Sequence, residues 1–246
     1  MKKLFLLLIV TFSITFLAGQ TSYVWNGTTS TSYTTNTNWT PNGVPGAADN
    51  ITIVTGANNC ILSGNITVTN LTITSGVLNL NSFTLNTTGV VACNGGSCNN
   101  GTFNSTATSL TFAGTTFGAN ITANVTEVYF NGSTFNGSVT VSKNGGTNAQ
   151  SNGNNIFNGV TSITNAGTGY LLLTNGGAGR NETFNAATTF NTTNTGGLYI
   201  GYQRNVAFNA NVIINNTAST GLIQIGRVGS VTLNTGNTIT CGTFAG

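Results

Sequence analysis

From residue 51 onward, apolar and polar positions alternate in short bursts. Ile51/Ile53, Ile66/Val68, Leu71/Ile73, Leu78/Leu80 and Phe83/Leu85 each stand at i, i+2 spacing, and Gly56, Gly64, Gly76 and Gly89 separate the bursts. Alternation of period two places one set of side chains on one side of an extended chain, so each burst reads as a half-buried strand bounded by turns. The helix formers Glu, Lys and Met are nearly absent beyond residue 20, so nothing argues for helix there.

The C-terminal third adds a repeat. Phe157-Asn158, Phe184-Asn185, Phe208-Asn209 and Leu233-Asn234 recur at spacings of 27, 24 and 25. Ile163, Phe190, Ile214 and Ile239 run in step with them, as do Leu171/Leu173, Leu198/Ile200 and Ile223/Ile225. Three apolar clusters per repeat imply three strands and three bends per coil. One coil cannot bury its own inner face, so the coils must stack. The expected fold is all-β: a right-handed, single-stranded parallel β-helix (a β-solenoid) of about 25 residues per coil, about eight coils and about 40 Å long. The residues Asn158, Asn185, Asn209 and Asn234 are placed either to form a stacked amide column or to occupy bends that tolerate left-handed backbone.

Residues 20–50 differ, holding both tryptophans, both prolines and Asp49. The first rung of a stacked β-structure has an open edge that must be covered. Trp25 and Trp39 are therefore read as aromatics of an N-terminal cap, with a carbohydrate-stacking platform as the functional alternative. Residues 51–246 form the solenoid.

Before the cap, Lys2 and Lys3 precede an apolar run from Leu4 to Leu17, then Ala18 and Gly19. This is the layout of a secretory signal peptide over residues 1–19, and the run is short for a membrane anchor. The expected location is secreted or on the extracellular cell surface, with no membrane span after signal removal. About 226 residues then remain, with four cations against three anions and a net charge of +1. So few basic groups exclude nucleic acid as a partner, because phosphate binding needs many Lys and Arg contacts.

Export permits disulfides among Cys60, Cys93, Cys98 and Cys241. Cys93 and Cys98 flank the turn sequence Asn94-Gly95-Gly96-Ser97, and a local disulfide is expected there; the alternative is two thiols buried as small hydrophobes. Cys60 lies in an early coil and Cys241 in the last, too far apart to bridge. Without histidine or a second closely spaced cysteine pair, no metal site is expected, and no cofactor is called for.

The chemistry is correspondingly sparse. Histidine mechanisms are excluded, and Asp49, Glu127 and Glu182 are too scattered to read as a glycosidase pair. No enzymatic activity is expected. Arg180, Arg204 and Arg227 recur at spacings of 24 and 23 and suggest a row for an anionic glycan. The plainer alternative is that each arginine caps backbone carbonyls. Asn-x-Ser/Thr sequons such as Asn65, Asn70, Asn120 and Asn124 follow from composition and matter only in a glycosylating host.

Three stretches carry a resemblance: Trp25…Asn38-Trp39…Pro41-Asn42-Gly43-Val44-Pro45…Asp49; Leu71-Thr72-Ile73-Thr74-Ser75-Gly76-Val77-Leu78-Asn79-Leu80; and Phe157-Asn158-Gly159 leading to Gly169-Tyr170-Leu171-Leu172-Leu173. In these the chain resembles the repetitive, adhesin-like β-solenoid surface proteins of Gram-negative, Bacteroidota-type bacteria exported by the type IX route. The resemblance implies an adhesive or structural role outside the cell, with surface polysaccharide or extracellular matrix as partner. Such proteins usually end in a sorting domain; none is visible, and the chain reads as an N-terminal fragment of a longer protein. Two other functions compete with this one. Alternating Thr67, Thr69, Thr72 and Thr74 suggest an ice- or crystal-binding surface, although residues 155–246 keep no Thr-x-Thr column. A polysaccharide-degrading β-helix lacks the acids it would need.

Overall fold

The computed structural model describes residues 19–218 and 220–244. The signal-peptide expectation for residues 1–19 falls, but for Gly19, outside the described residues. Among them, no helix is long and apolar enough to cross a membrane.

Short strands and tight bends build a parallel β-solenoid. Its first coil comprises Asn50–Ile53 on face 1, Cys60–Ile61 on face 2 and Ile66–Val68 on face 3. The next repeats them at Asn70–Ile73, Val77–Asn79 and Thr84–Thr87. Faces 2 and 3 each stack nine strands, hence about eight full turns. Alternation along each strand turns every second residue inward, where its neighbours above and below are the in-register residues of adjacent coils.

One such column on face 2 shows the coil length directly. It runs Cys60, Leu78, Cys98, Phe117, Phe135, Phe157, Phe184, Phe208, Leu233. The spacings are 18, 20, 19 and 18 residues up to Phe135, then 22, 27, 24 and 25. The expected 25 residues per coil therefore holds only for the upper coils; the lower ones are shorter. Rings in the column lie nearly parallel, with centroids 4.8 Å apart for Phe135–Phe157 and 4.6 Å for Phe157–Phe184. Stacked rings of this kind add to what burial alone contributes. One expected column shifts at its end: Ile163, Phe190 and Ile214 are in register, but Cys241 rather than Ile239 follows them.

The cap closes the lower end. Ser22–Trp25 pairs parallel with Asn50–Ile53 and antiparallel with Trp39–Thr40, covering the edge of face 1. Trp25, Tyr33 and Trp39 are fully buried, with Trp39 edge-on to both partners at 5.0 Å. Their polar atoms are satisfied: the indoles donate to Asn58 O and Tyr33 O (both 2.8 Å), and the Tyr33 hydroxyl donates to Pro45 O (3.2 Å). The tryptophans fill a core and offer no platform to a sugar.

Face 1 is interrupted. Its ladder ends at Glu127–Phe130, and a separate sheet of Ala149–Gln150, Leu171–Leu172, Leu198–Ile200 and Ile223–Ile225 continues the wall above it. At the break, Phe130 N donates to Ser151 Oγ (2.9 Å), where a ladder partner would otherwise stand.

The cysteine expectation is corrected. Cys60, Cys93 and Cys98 are free and buried; Cys241 is free and exposed. The turn after Cys93, with Gly96 in the left-handed region (φ 64°), carries the chain from face 1 to face 2. Each thiol then points inward in its own column, Cys93 in register with Ile73 and Cys98 with Leu78. Burial pushes the Cys98 thiol up to about 12 and raises Cys93 well above its ordinary value. These are small hydrophobes.

Candidate functional site

The upper sheet of face 1 presents an outward column of Gln150, Leu172, Tyr199 and Gln224. Leu172 is buried beneath its neighbours and forms a floor. Tyr170, just before its strand, stands edge-on to Tyr199 (6.0 Å between centroids), and Tyr202, just after the next strand, stands edge-on to Tyr199 at 5.6 Å. Leu222 is half exposed at the upper rim, and Arg227 lies over the Tyr202 ring at 4.7 Å while donating to its hydroxyl. Together these residues line a groove of about 390 Å³. Gln150 Nε2 donates to the Tyr170 hydroxyl (3.5 Å), and Asn175 Nδ2 donates to Gln150 Oε1 (2.8 Å), so amides extend the polar edge.

Aromatic rings offer flat apolar area with a polar tip, and the amides and the guanidinium supply oriented hydrogen bonds. No carboxylate lines it. Asp49 accepts from Thr21 N (3.0 Å) and Gly46 N (2.8 Å) in the cap. Glu182 is buried and accepts from Asn155 N (3.1 Å) and Nδ2 (2.9 Å). Burial pushes its carboxyl up to about 8, against the lowering effect of the two Asn155 bonds. Glu127 is buried beside the Lys143 ammonium, 3.4 Å away.

Compared with known protein families, curated proteins and solved structures, the chain matches none.

The expected arginine row is not one column. Glu182 is in register with Val206, and Val206 with Val231. Arg180 and Arg204 each precede those partners by two residues, but Arg227 precedes Val231 by four. Arg204 caps main-chain carbonyls, donating to Gly177 O (2.9 Å) and Gln203 O (3.1 Å). Arg227 belongs to the groove, and Arg180 is exposed away from its lining.

The asparagine column is an amide ladder. Asn158 donates to Asn136 (2.7 Å), Asn185 to Asn158 (2.7 Å) and Asn209 to Asn185 (2.6 Å). It begins one coil lower than expected, at Asn136. Asn234 follows through its main chain, its N–H bonded to Phe208 O (3.0 Å).

The tyrosines escaped the sequence reading because they occupy three different positions of the coil: before, within and after a strand. The available signal was their density, three of the chain's six tyrosines within 33 residues.

Proposed function

We propose that the protein is an exported, non-catalytic, adhesin-like β-solenoid that holds a surface polysaccharide in the groove of Tyr170, Tyr199 and Tyr202. The groove carries this reading. Its rings suit the apolar faces of pyranose sugars, and its amides suit their hydroxyls. Arg227 is its one charged group and favours a carboxylate-bearing sugar. The carboxylates support the non-catalytic half of the reading, since two are interior and the third binds cap backbone. The test is binding of the chain to acidic and neutral polysaccharides by calorimetry. Tyr199→Ala should weaken binding at least about tenfold, and Arg227→Gln should remove the preference for acidic chains. Unchanged binding by Tyr199→Ala would discard the groove.

A second reading has an observation of its own. Thr122, Thr140, Ser162 and Thr189 form an outward column on face 3. It is bounded by Asn104 below and Ile213 above, so a lattice match would span only four coils. Thermal hysteresis in solutions of the chain would revive ice binding as the function.

A further inference from the structure

The solenoid carries a lysine where a cation is costly. Lys143 is fully buried at the end of a face 3 strand, and its in-register partner one coil higher is Asn165, also fully buried. Lys143 Nζ donates to Gly145 O (2.7 Å) and Gly169 O (3.4 Å), while Asn165 Nδ2 donates to the same Gly169 O (3.0 Å) and to Gly197 O (2.9 Å). The amine and the carboxamide thus meet at one carbonyl. Glu127 Oε2 lies 3.4 Å from Nζ and makes no hydrogen bond, while its Oε1 accepts from Thr147 N (3.1 Å).

Capping the Gly145 and Gly169 carbonyls does not explain this set. Higher in the same column Asn216 caps Gly221 O as a neutral amide, with no ion to desolvate. A buried ion pair is an expensive way to provide donors, and an orphaned buried oxygen asks for a role.

We propose that Lys143 and Asn165 become joined by an intramolecular isopeptide bond, with Glu127 as the proton relay. Moving one proton from Nζ to Oε2, 3.4 Å away, leaves a neutral amine beside a carboxylic acid. The amine lone pair attacks Asn165 Cγ, while the Gly167 N–H that bonds Oδ1 (3.3 Å) steadies the charge developing there. The Nζ–Cγ bond forms and the Cγ–Nδ2 bond breaks. Nδ2 takes one proton from Nζ through Glu127 and leaves as ammonia, and the proton first held by Glu127 departs with it as ammonium. No oxidant, reductant or water is consumed. The product ties two successive coils together along the axis, where the face 1 ladder is broken.

Mass spectrometry of the folded full chain tests the bond, which makes the protein lighter by one ammonia, about 17 Da. Asn-Gly pairs elsewhere can also lose ammonia, so the bond must be located. Digestion after aromatic residues cuts at Phe135, Phe157 and Tyr170 and places Lys143 and Asn165 in different peptides. The expected result is one branched product containing both. It should be absent from Lys143→Arg, and its formation should slow at least about tenfold in Glu127→Gln, which keeps the size of the side chain. Two separate, unmodified peptides from the folded wild-type chain would overturn the proposal. Cross-linking of Glu127→Gln at the wild-type rate would overturn the relay.

Discussion

The five coils up to Lys143 and the four above it share their stacked core columns but turn their corners differently. One to three residues pass from face 3 to face 1 in the lower coils, against five or six in the upper ones. The corner between faces 2 and 3 keeps two to five throughout. Added length has gone into the corners that flank face 1, and both the broken ladder and the tyrosine groove are on that face. Longer corners bring carbonyls inward that no ladder can satisfy, and side chains must supply the donors. Lys143 and Asn165 do so at successive coils, and Asn216 does so two coils above Asn165. The lower coils stay short, burying only small hydroxyls such as Thr87 and Ser105 until the Glu127–Lys143 pair at their top. The upper ones also bury amides and Glu182 and carry the tyrosine groove.

The largest test asks whether the core is continuous across the join. Phe157→Ala should lower the free energy of unfolding by about 3–5 kcal/mol, whereas the adjacent outward Ile156→Ala should change it by less than about 1 kcal/mol. Equal losses in denaturant titrations would mean that the phenylalanine column does not bind the two halves together. Next comes the junction itself. In an Asn165→Ala background, which has no carboxamide for the lysine to join, Lys143→Met strands Glu127 in the interior and should cost about 3 kcal/mol, and adding Glu127→Met should recover much of that loss. A double variant no more stable than the single one would show that the charges are not coupled.

These differences explain what could be read in advance. Phe157-Asn158 and its successors announce the upper coils because one residue pair recurs in one column. The lower part of that column is Cys60, Leu78, Cys98 and Phe117, any apolar residue sufficing, so an 18–20-residue period passes unseen. Equal spacing misled for the arginines because the turns around them differ by two residues, which moves Arg227 from a bend into the groove. Interior Lys143, Glu127 and Glu182 could not be foreseen, since a lone charge in a sequence reads as solvated. The turn between Cys93 and Cys98 was identified as a turn, but it rounds a corner of the tube, and each thiol follows its own face.

A smaller effect reads the interior Glu182 of the upper coils by pH. The unfolded chain releases the Glu182 proton near the ordinary value of 4.5, whereas the folded chain holds it until about 8. Between those values the folded state binds more protons, so stability should fall as pH rises and level off above about 8. The slope for one proton cannot exceed about 1.4 kcal/mol per pH unit. Glu182→Gln should flatten that part of the profile in denaturation midpoints taken across the window. A slope that survives the substitution would locate the titrating group elsewhere.

The smallest expected effect is none at all, and it concerns the lower coils. With Cys60, Cys93 and Cys98 packed as thiols, a reductant has no bond to break and should leave the unfolding curve unchanged. A thiol reagent added to the native chain should modify Cys241 alone, because the other three are buried and their raised pKa values keep them protonated. Denaturant should then release three further thiols without any reductant present. If it releases only one, a pair has been oxidised, and the lower tube must open locally to let two inward-facing columns meet. The lower half would then be the more deformable of the two, reversing the contrast that the corners suggest.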